Sequence, residues 1–411
     1  MNILNRANSA IKPLIKALAA DPLVASTVSL LIGSVAANFW PEVVGLIALI
    51  LLFWAIGHHL VDRHRQLQRA DAYTAFELAL RQPDSDALAR LHAANEHFLV
   101  FNRVIEILPH YSLNSRSGFA SLGWRPDEIL VDFKNEIFDA SDVLTRIGGG
   151  KNSYDPPNGR KFCLVDRSLG GTDTALSLKL QETDYFTICS VISNLPFALR
   201  SEFGSLDPAQ NRVPHSLCLH FIVRCGDGSI LLALNANQKK YGGGTWSVSA
   251  EEQMKDSDLT ASFPIDALFK RAILEEVFGL SDEKVPLVKR WAQIEEHIHS
   301  IRIWSLFLEE HLNNFSLLGV CQLSVTRTQL RIAIEQLIND GSASRDLEGK
   351  LFIASSDQIE RLLILGSANV TGLFSDSCEE VLGESLHWTS RYRIFRLIRA
   401  LNEGPLAAPT A

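Results

Sequence analysis

The sequence predicts a mixed α+β chain in three parts: an N-terminal two-helix transmembrane hairpin, a helical connector, and a larger C-terminal body. Three observations carry this expectation. Two uncharged apolar segments, Leu23 to Trp40 and Val43 to Leu60, lie back to back. A polar stretch with helical spacing follows them. From about Lys161 onward, short β-branched apolar runs alternate with helical patterns. The boundaries implied are 1–20 for a cytoplasmic N-terminal segment, 21–61 for the hairpin, 62–160 for the stalk and connector, and 161–405 for the body.

Each apolar segment is 18 residues long. At about 1.5 Å rise per residue it spans roughly 27 Å, close to the hydrocarbon thickness of a bilayer. Only Pro41-Glu42 separates the two, so the chain reverses at an interface, and Trp40 and Trp54 stand near the ends as amphipathic anchors. Arg6, Lys12 and Lys16 precede the first segment, and Arg63, Arg65 and Arg69 follow the second. That bias predicts a multi-pass protein with both termini cytoplasmic. Ala36 and Ala37 resemble a signal-peptide processing site, but the long leader and the second span count against that reading. Ala25, Ser29, Gly33 and Ala37 recur every four residues, a small-residue ridge suited to packing within the hairpin or between copies of the chain.

The net charge of −8 argues against binding nucleic-acid polymers, which need a clustered basic surface. Six cysteines without metal-ligand spacing predict reduced core thiols and no zinc site. Asp62 to Gln82 carries Leu67, Tyr73, Phe76 and Leu80 at helical spacing, and Pro83-Asp84 ends it. Ser85 is positioned to cap a second helix reaching about Leu108. Residues 110 to 160 mix short elements with glycine- and proline-rich turns.

In the body, Leu217 to Arg224 and Ser229 to Leu234 flank Asp227-Gly228 and predict a hairpin. Further strands are expected at Val288–Ile294, Ile301–Leu308 and Leu317–Val325, and helices near Gln329–Ile338 and Asp357–Leu365. The richest stretch is FPIDALFKRAILEEVFGL, Phe263 to Leu280. Its apolar residues form a helical stripe, Pro264 suits the first turn, and Gly279 suits a C-terminal cap. Arg271, Glu275 and Glu276 fall on the other side. Adjacent glutamates can share a hard divalent cation, and an arginine one turn earlier can orient a carboxylate.

Arg271-Ala272-Ile273-Leu274-Glu275-Glu276 resembles the core of the Nudix box. The preceding hairpin, Leu231 to Leu234, and Trp246 follow the order of that family over roughly residues 160 to 370. The resemblance implies a degenerate Nudix-like α/β sandwich as the body. It departs from the pattern at Ala272, Phe278 and Phe263, and at Ser249-Ala250-Glu251 where the family has a proline and paired glycines. These departures argue against retained hydrolysis, so no catalytic residue and no metal is expected; a retained hydrolase would use Glu275, Glu276 and Arg271 with magnesium. The loop Asn235 to Gly244 offers amides, cations and an aromatic ring suited to phosphates and bases. The expected ligand contacts are Arg224, Asn235, Asn237, Lys239, Lys240, Tyr241 and Trp246. His220 is less distinctive, and His297 and His299 read as ordinary strand positions.

Two membrane helices joined to such a domain are similar to the transmembrane Nudix effectors of the bacterial antiphage system CBASS. That resemblance implies a bacterial inner-membrane homo-oligomer whose cytoplasmic domain binds a cyclic di- or trinucleotide and whose membrane helices then breach the bilayer. The alternative is a membrane-anchored, magnesium-dependent Nudix hydrolase of a nucleoside diphosphate derivative.

Overall fold

The computed structural model describes residues 99–101, 104–109, 123–148, 159–169, 175–195, 202–236, 244–281, 284–309, 312–343, 349–375 and 377–403. Among these, the strands are β1 (Leu99–Phe101), β2 (Val104–Pro109), β3 (Leu130–Ile137), β4 (Arg160–Leu169), β5 (Leu176–Asp184), β6 (Cys218–Arg224), β7 (Ile230–Asn235), β8 (Trp246–Val248), β9 (Ala250–Gln253), β10 (Ile298–Glu309), β11 (Asn314–Leu323), β12 (Gly349–Ala354), β13 (Ser367–Gly372) and β14 (Cys378–Leu382). The helices are α1 (Ser141–Arg146), α2 (Tyr185–Asn194), α3 (Asp256–Leu259), α4 (Pro264–Glu276), α5 (Leu287–Trp291), α6 (Arg327–Asn339), α7 (Ser356–Ile364) and α8 (Trp388–Glu403).

One sheet runs β1-β2-β10-β11-β6-β7-β12-β13-β14, with β8 added to β7 and β9 to β6. Its centre is the parallel pair β6–β11, while its other pairings are antiparallel. A smaller sheet runs β3-β5-β4. Alternation along the central strands assigns their side chains to opposite faces. Leu219, Phe221 and Val223 of β6 join Phe315, Leu317 and Cys321 of β11 and the apolar stripe of α4 in the main core. Phe269 of α4 meets Phe221 at 5.5 Å between ring centroids. Gly319 makes room for it, since a Cβ there would lie 2.5 Å from the Phe269 ring. The intervening residues, among them His220 and Ser316, turn toward α8, where Phe307 of β10 packs on Tyr392 at 5.1 Å. Helices therefore cover the two faces of a mixed sheet.

α4 starts and stops where its sequence says. Pro264 occupies the first turn. Gly279 adopts φ +69°, and the Leu280 N–H donates to the Leu274 carbonyl at 2.8 Å. That closure needs a residue at ease in the left-handed region.

Several expectations are corrected. Val104 to Leu108, read as the end of a helix, is strand β2, which pairs with β10 through Ile105↔Leu308 and Glu106↔Phe307; its β-branched residues fit a pleated core surface better than a helix. Val288–Ile294, read as a strand, begins as helix α5. There the Pro286 carbonyl accepts from Lys289 and Arg290 N–H, and the Arg290 guanidinium donates to the carbonyls of Leu280 and Val285.

The larger correction concerns the membrane. Among the described residues no helix is long and apolar enough to cross a bilayer. α8, at 16 residues, carries Arg391, Arg393 and Arg396 and serves the core. The predicted fold class with a transmembrane hairpin, and the multi-pass inner-membrane localisation, are therefore overturned in favour of a mixed α+β body. The segments Leu23–Trp40 and Val43–Leu60, including Ala25, Ser29, Gly33 and Ala37, lie outside the described residues.

Candidate functional site

A cavity of about 320 Å³ opens on the α8 face of the sheet. Cys218 and His220 of β6, Glu251 of β9, Glu309 of β10 and His387 and Trp388 at the start of α8 line it. Tyr185, Ile188 and Ile192 of α2 supply an aromatic and apolar wall, and Leu312 adds to it. Strand alternation turns Glu251 toward His220, while its neighbour Glu252, also on the cavity wall, contacts Arg271 of α4.

Glu309 is saturated with donors. Its Oε1 accepts from Asn314 Nδ2 at 3.0 Å and Ser316 Oγ at 2.9 Å, and faces His220 Nε2 at 3.1 Å. Trp388 Nε1 donates to its Oε2 at 2.8 Å. The other nitrogen of His220, Nδ1, lies 3.1 Å from Glu251 Oε2 and 3.3 Å from Thr389 Oγ1. His220 thus bridges two carboxylates. Burial opposes its protonation, but Glu309 and then Glu251 outweigh burial and raise its pKa. In return, burial would raise both glutamates. His220 and His387 reverse the sign and hold Glu309 down at about 2, and with Arg393 they hold Glu251 well below the usual carboxylate range.

Thr389 links this pair to α8. Arg393 Nη2 donates to Thr389 Oγ1 at 2.8 Å, and the same hydroxyl lies 2.8 Å from His387 Nδ1. Arg393 is fully buried, and its Nη1 donates to the carbonyls of Val248 and Ala250. That cost of burial lowers its pKa to about 10. Burial likewise lowers the pKa of His387, favouring the neutral ring.

The residues of the Nudix-like motif form a different cluster. Arg271 is 2% exposed. It makes two bonds to Asp258, at 2.9 and 2.7 Å, and one to the Gln253 carbonyl at 2.7 Å. It also pairs with Glu252 at 3.1 Å and Glu275 at 3.2 Å. Glu275 faces two further cations, Lys255 at 3.3 Å and Arg290 at 3.7 Å. Three acids meet three bases, so the cluster has no surplus negative charge to attract a divalent ion. Among the described residues, no group of three or more His, Cys, Asp or Glu side chains has a metal-ligating arrangement.

Of the residues expected to contact ligand, Arg224, Asn235 and Trp246 are described, and the cavity lining does not include them. Arg224 ends β6 and donates to Gln322 Oε1 at 2.9 Å. Asn235 ends β7 and is buried, and Trp246 of β8 packs on Phe352 at 4.7 Å. Asn237, Lys239, Lys240 and Tyr241 lie outside the described residues. His297 lies against Phe278, the rings 6.4 Å apart and nearly parallel. Sequence reasoning passed over His220, Glu251, Glu309 and His387, which are 31 to 78 residues apart along the chain. The available signal was a charged or polar residue at an inward register of an apolar strand: His220 within CLHFIVR and Glu309 closing IHSIRIWSLFLE.

No family model and no curated protein matches the chain. Among solved structures, it is similar to the crystal structure of Tm1382, "a putative Nudix hydrolase". That match has 10% identity and a TM-score of 0.23, covering 46% of this chain and 72% of that one. At that score, the fold must be judged from the chain's own topology. That topology is a central parallel pair within a mixed sheet with helices on both faces, and it carries Arg271-x3-Glu275-Glu276 on the helix α4.

Proposed function

We propose that this body is a Nudix-like ligand-binding domain that does not carry out the family's metal-dependent hydrolysis. Its ligand on this reading is a nucleotide-derived messenger, a cyclic di- or trinucleotide such as CBASS effectors sense, and it works as a homo-oligomer. The observation that carries the proposal is the state of Arg271 and Glu275. Magnesium bound at Glu275 would have to displace three cationic partners, and Asp258, only 1% exposed, would lose its own. The motif therefore serves as a brace between β9, α3 and α4, and no magnesium step is assigned to it.

The cavity supplies what binding needs. Its volume lies at the lower end of small-ligand sites, enough for a base with part of its sugar. Aromatic and apolar side chains wall it, and polar groups converge on it. Lys161 of β4 stands beside it, its ammonium 5.9 Å from the Tyr185 ring centre, with burial lowering its pKa. It is the cation placed to meet a phosphate attached to a base in the cavity.

The experiment is titration calorimetry of the full chain with cyclic di- and trinucleotides, in magnesium and in EDTA, followed by chromatography of the recovered ligand. The proposal expects a cyclic nucleotide to bind with equal affinity in both buffers and to be recovered intact. Release of mononucleotide from a nucleoside diphosphate derivative, abolished by Glu276→Gln, would establish the hydrolase instead.

A further inference from the structure

We infer that the cavity carries a two-point recognition edge for a heterocyclic base with an amino group beside a ring nitrogen, Glu251 accepting and His387 donating. This deepens the nucleotide-binding reading and rests on it.

The hydrogen-bond chain fixes which polar atoms remain for a ligand. Thr389 Oγ1 accepts from Arg393 Nη2 and has one proton of its own to give. Its close neighbour is His387 Nδ1 at 2.8 Å. With Arg393 Nη2 and the His220 Nδ1 proton, 3.3 Å away, on its two lone pairs, Thr389 Oγ1 gives its own proton to His387 Nδ1, so the neutral ring bears its proton on Nε2. No partner among the described residues reaches Nε2. Arg393 cannot reverse the chain, since a guanidinium only donates.

Glu251 is open in the opposite sense. Its Oε2 is turned to His220 and has no aligned hydrogen bond, and no hydrogen bond or ion pair reaches its Oε1 among the described residues. The buried Ser216 hydroxyl, also on the cavity wall, has no partner either. Glu309 is not available, because four side chains already occupy it. The two side chains approach within 3.9 Å of each other, through His387 Nδ1 and Glu251 Oε2, so the open carboxylate oxygen and the imidazole N–H belong to neighbouring residues of the cavity wall. Buried polar groups left unpaired are costly, and a ligand that pairs them is favoured over one that does not.

Adenine and cytosine present an N–H donor beside a ring-nitrogen acceptor and pair with both groups. Hypoxanthine and uracil present a carbonyl beside a ring N–H. In the ring orientation that puts the amino group of adenine or cytosine at Glu251, the carbonyl in its place would set oxygen against the carboxylate. The Trp388 indole and the Tyr185 ring provide flat surfaces for either ring type, so stacking adds affinity without choosing between them.

The test uses AMP, CMP, IMP and UMP as probes with the full chain at neutral pH, read by calorimetry beside the cyclic nucleotide panel. AMP should bind at least about tenfold more tightly than IMP, and CMP than UMP, as expected for one good two-point pairing. In Glu251→Gln, the amide oxygen must turn to the His220 N–H, which leaves its NH2 facing the cavity. That variant should lose the preference for AMP over IMP while keeping its melting temperature within a few degrees of the wild type. The wild-type comparison needs no variant and stands alone if Glu251→Gln fails to fold. If a cyclic nucleotide binds but AMP and IMP bind alike, the edge is wrong and the sensor reading survives. If neither the panel nor any mononucleotide binds, both fall.

Discussion

Ser249 holds a backbone conformation that its residue type rarely adopts. It sits at φ +60°, a left-handed conformation that glycine adopts freely and serine rarely does. Its hydroxyl compensates by donating to the Leu231 carbonyl at 2.8 Å and accepting from the Val223 N–H at 2.7 Å. Ser249→Ala keeps the strained backbone and strips both bonds in a buried site. It should cost about 2–4 kcal/mol, measured by urea denaturation. The buried His220–Glu309 pair sets a second residue-scale outcome, in pH. Glu309 titrates near 2 when folded against an ordinary 4.5, so its stabilisation is present above about 4.5 and lost as pH falls toward 2. His220 is raised above its ordinary 6.5, so its share is complete below that value and fades as pH climbs through the raised one. Melting temperature should therefore drop on the acid side below about 4.5, with a shallower drop in Glu309→Gln; equal slopes would dissociate the pair from acid stability.

At the scale of elements, α4 is held by packing on one side and ion pairing on the other. Gly319→Ala would push a methyl into the Phe269 ring and should destabilise by about 1–3 kcal/mol without altering ligand affinity. Arg271→Met would strand the buried Asp258 carboxylate and should cost about 3–5 kcal/mol in the same denaturation assay. α4 was legible because its evidence is local: the apolar stripe, Pro264 and Gly279 are all within 16 residues. The hairpin around Asp227-Gly228, helices α6 and α7 and the long strands β10 and β11 were legible for the same reason. β2 was not, since a run such as VIEILP suits either helix or strand until β10 offers it a partner. Nor was α5, whose start depends on Arg290 reaching back to two loop carbonyls. Arg271 and Glu275 were legible as a motif, but their neutral role depends on Asp258, Lys255 and Arg290, which only the fold brings near.

For the whole molecule, the cavity assembles β6, β9, β10, α2 and α8 from across the chain, which is why composition and spacing did not disclose it. α8 also ties that site to β2, the strand beside β10 in the large sheet. Its first turn supplies His387 and Trp388. One to two turns on, Tyr392 and Arg396 meet Glu106 of β2 at 3.0 and 3.2 Å. A ligand that orders the start of α8 is thus coupled through that helix to Glu106 of β2. The central claim is that ligand binds at the cavity while the α4 motif remains structural. Hydrogen exchange of the full chain, with and without the cyclic nucleotide that binds, tests it most directly. Slower exchange at Glu251 to Gln253 and from His387 into the first turns of α8, with Leu274 to Val277 unchanged, is the predicted result. Protection centred on Leu274 to Val277 and dependent on magnesium, with the start of α8 unaffected, would contradict it.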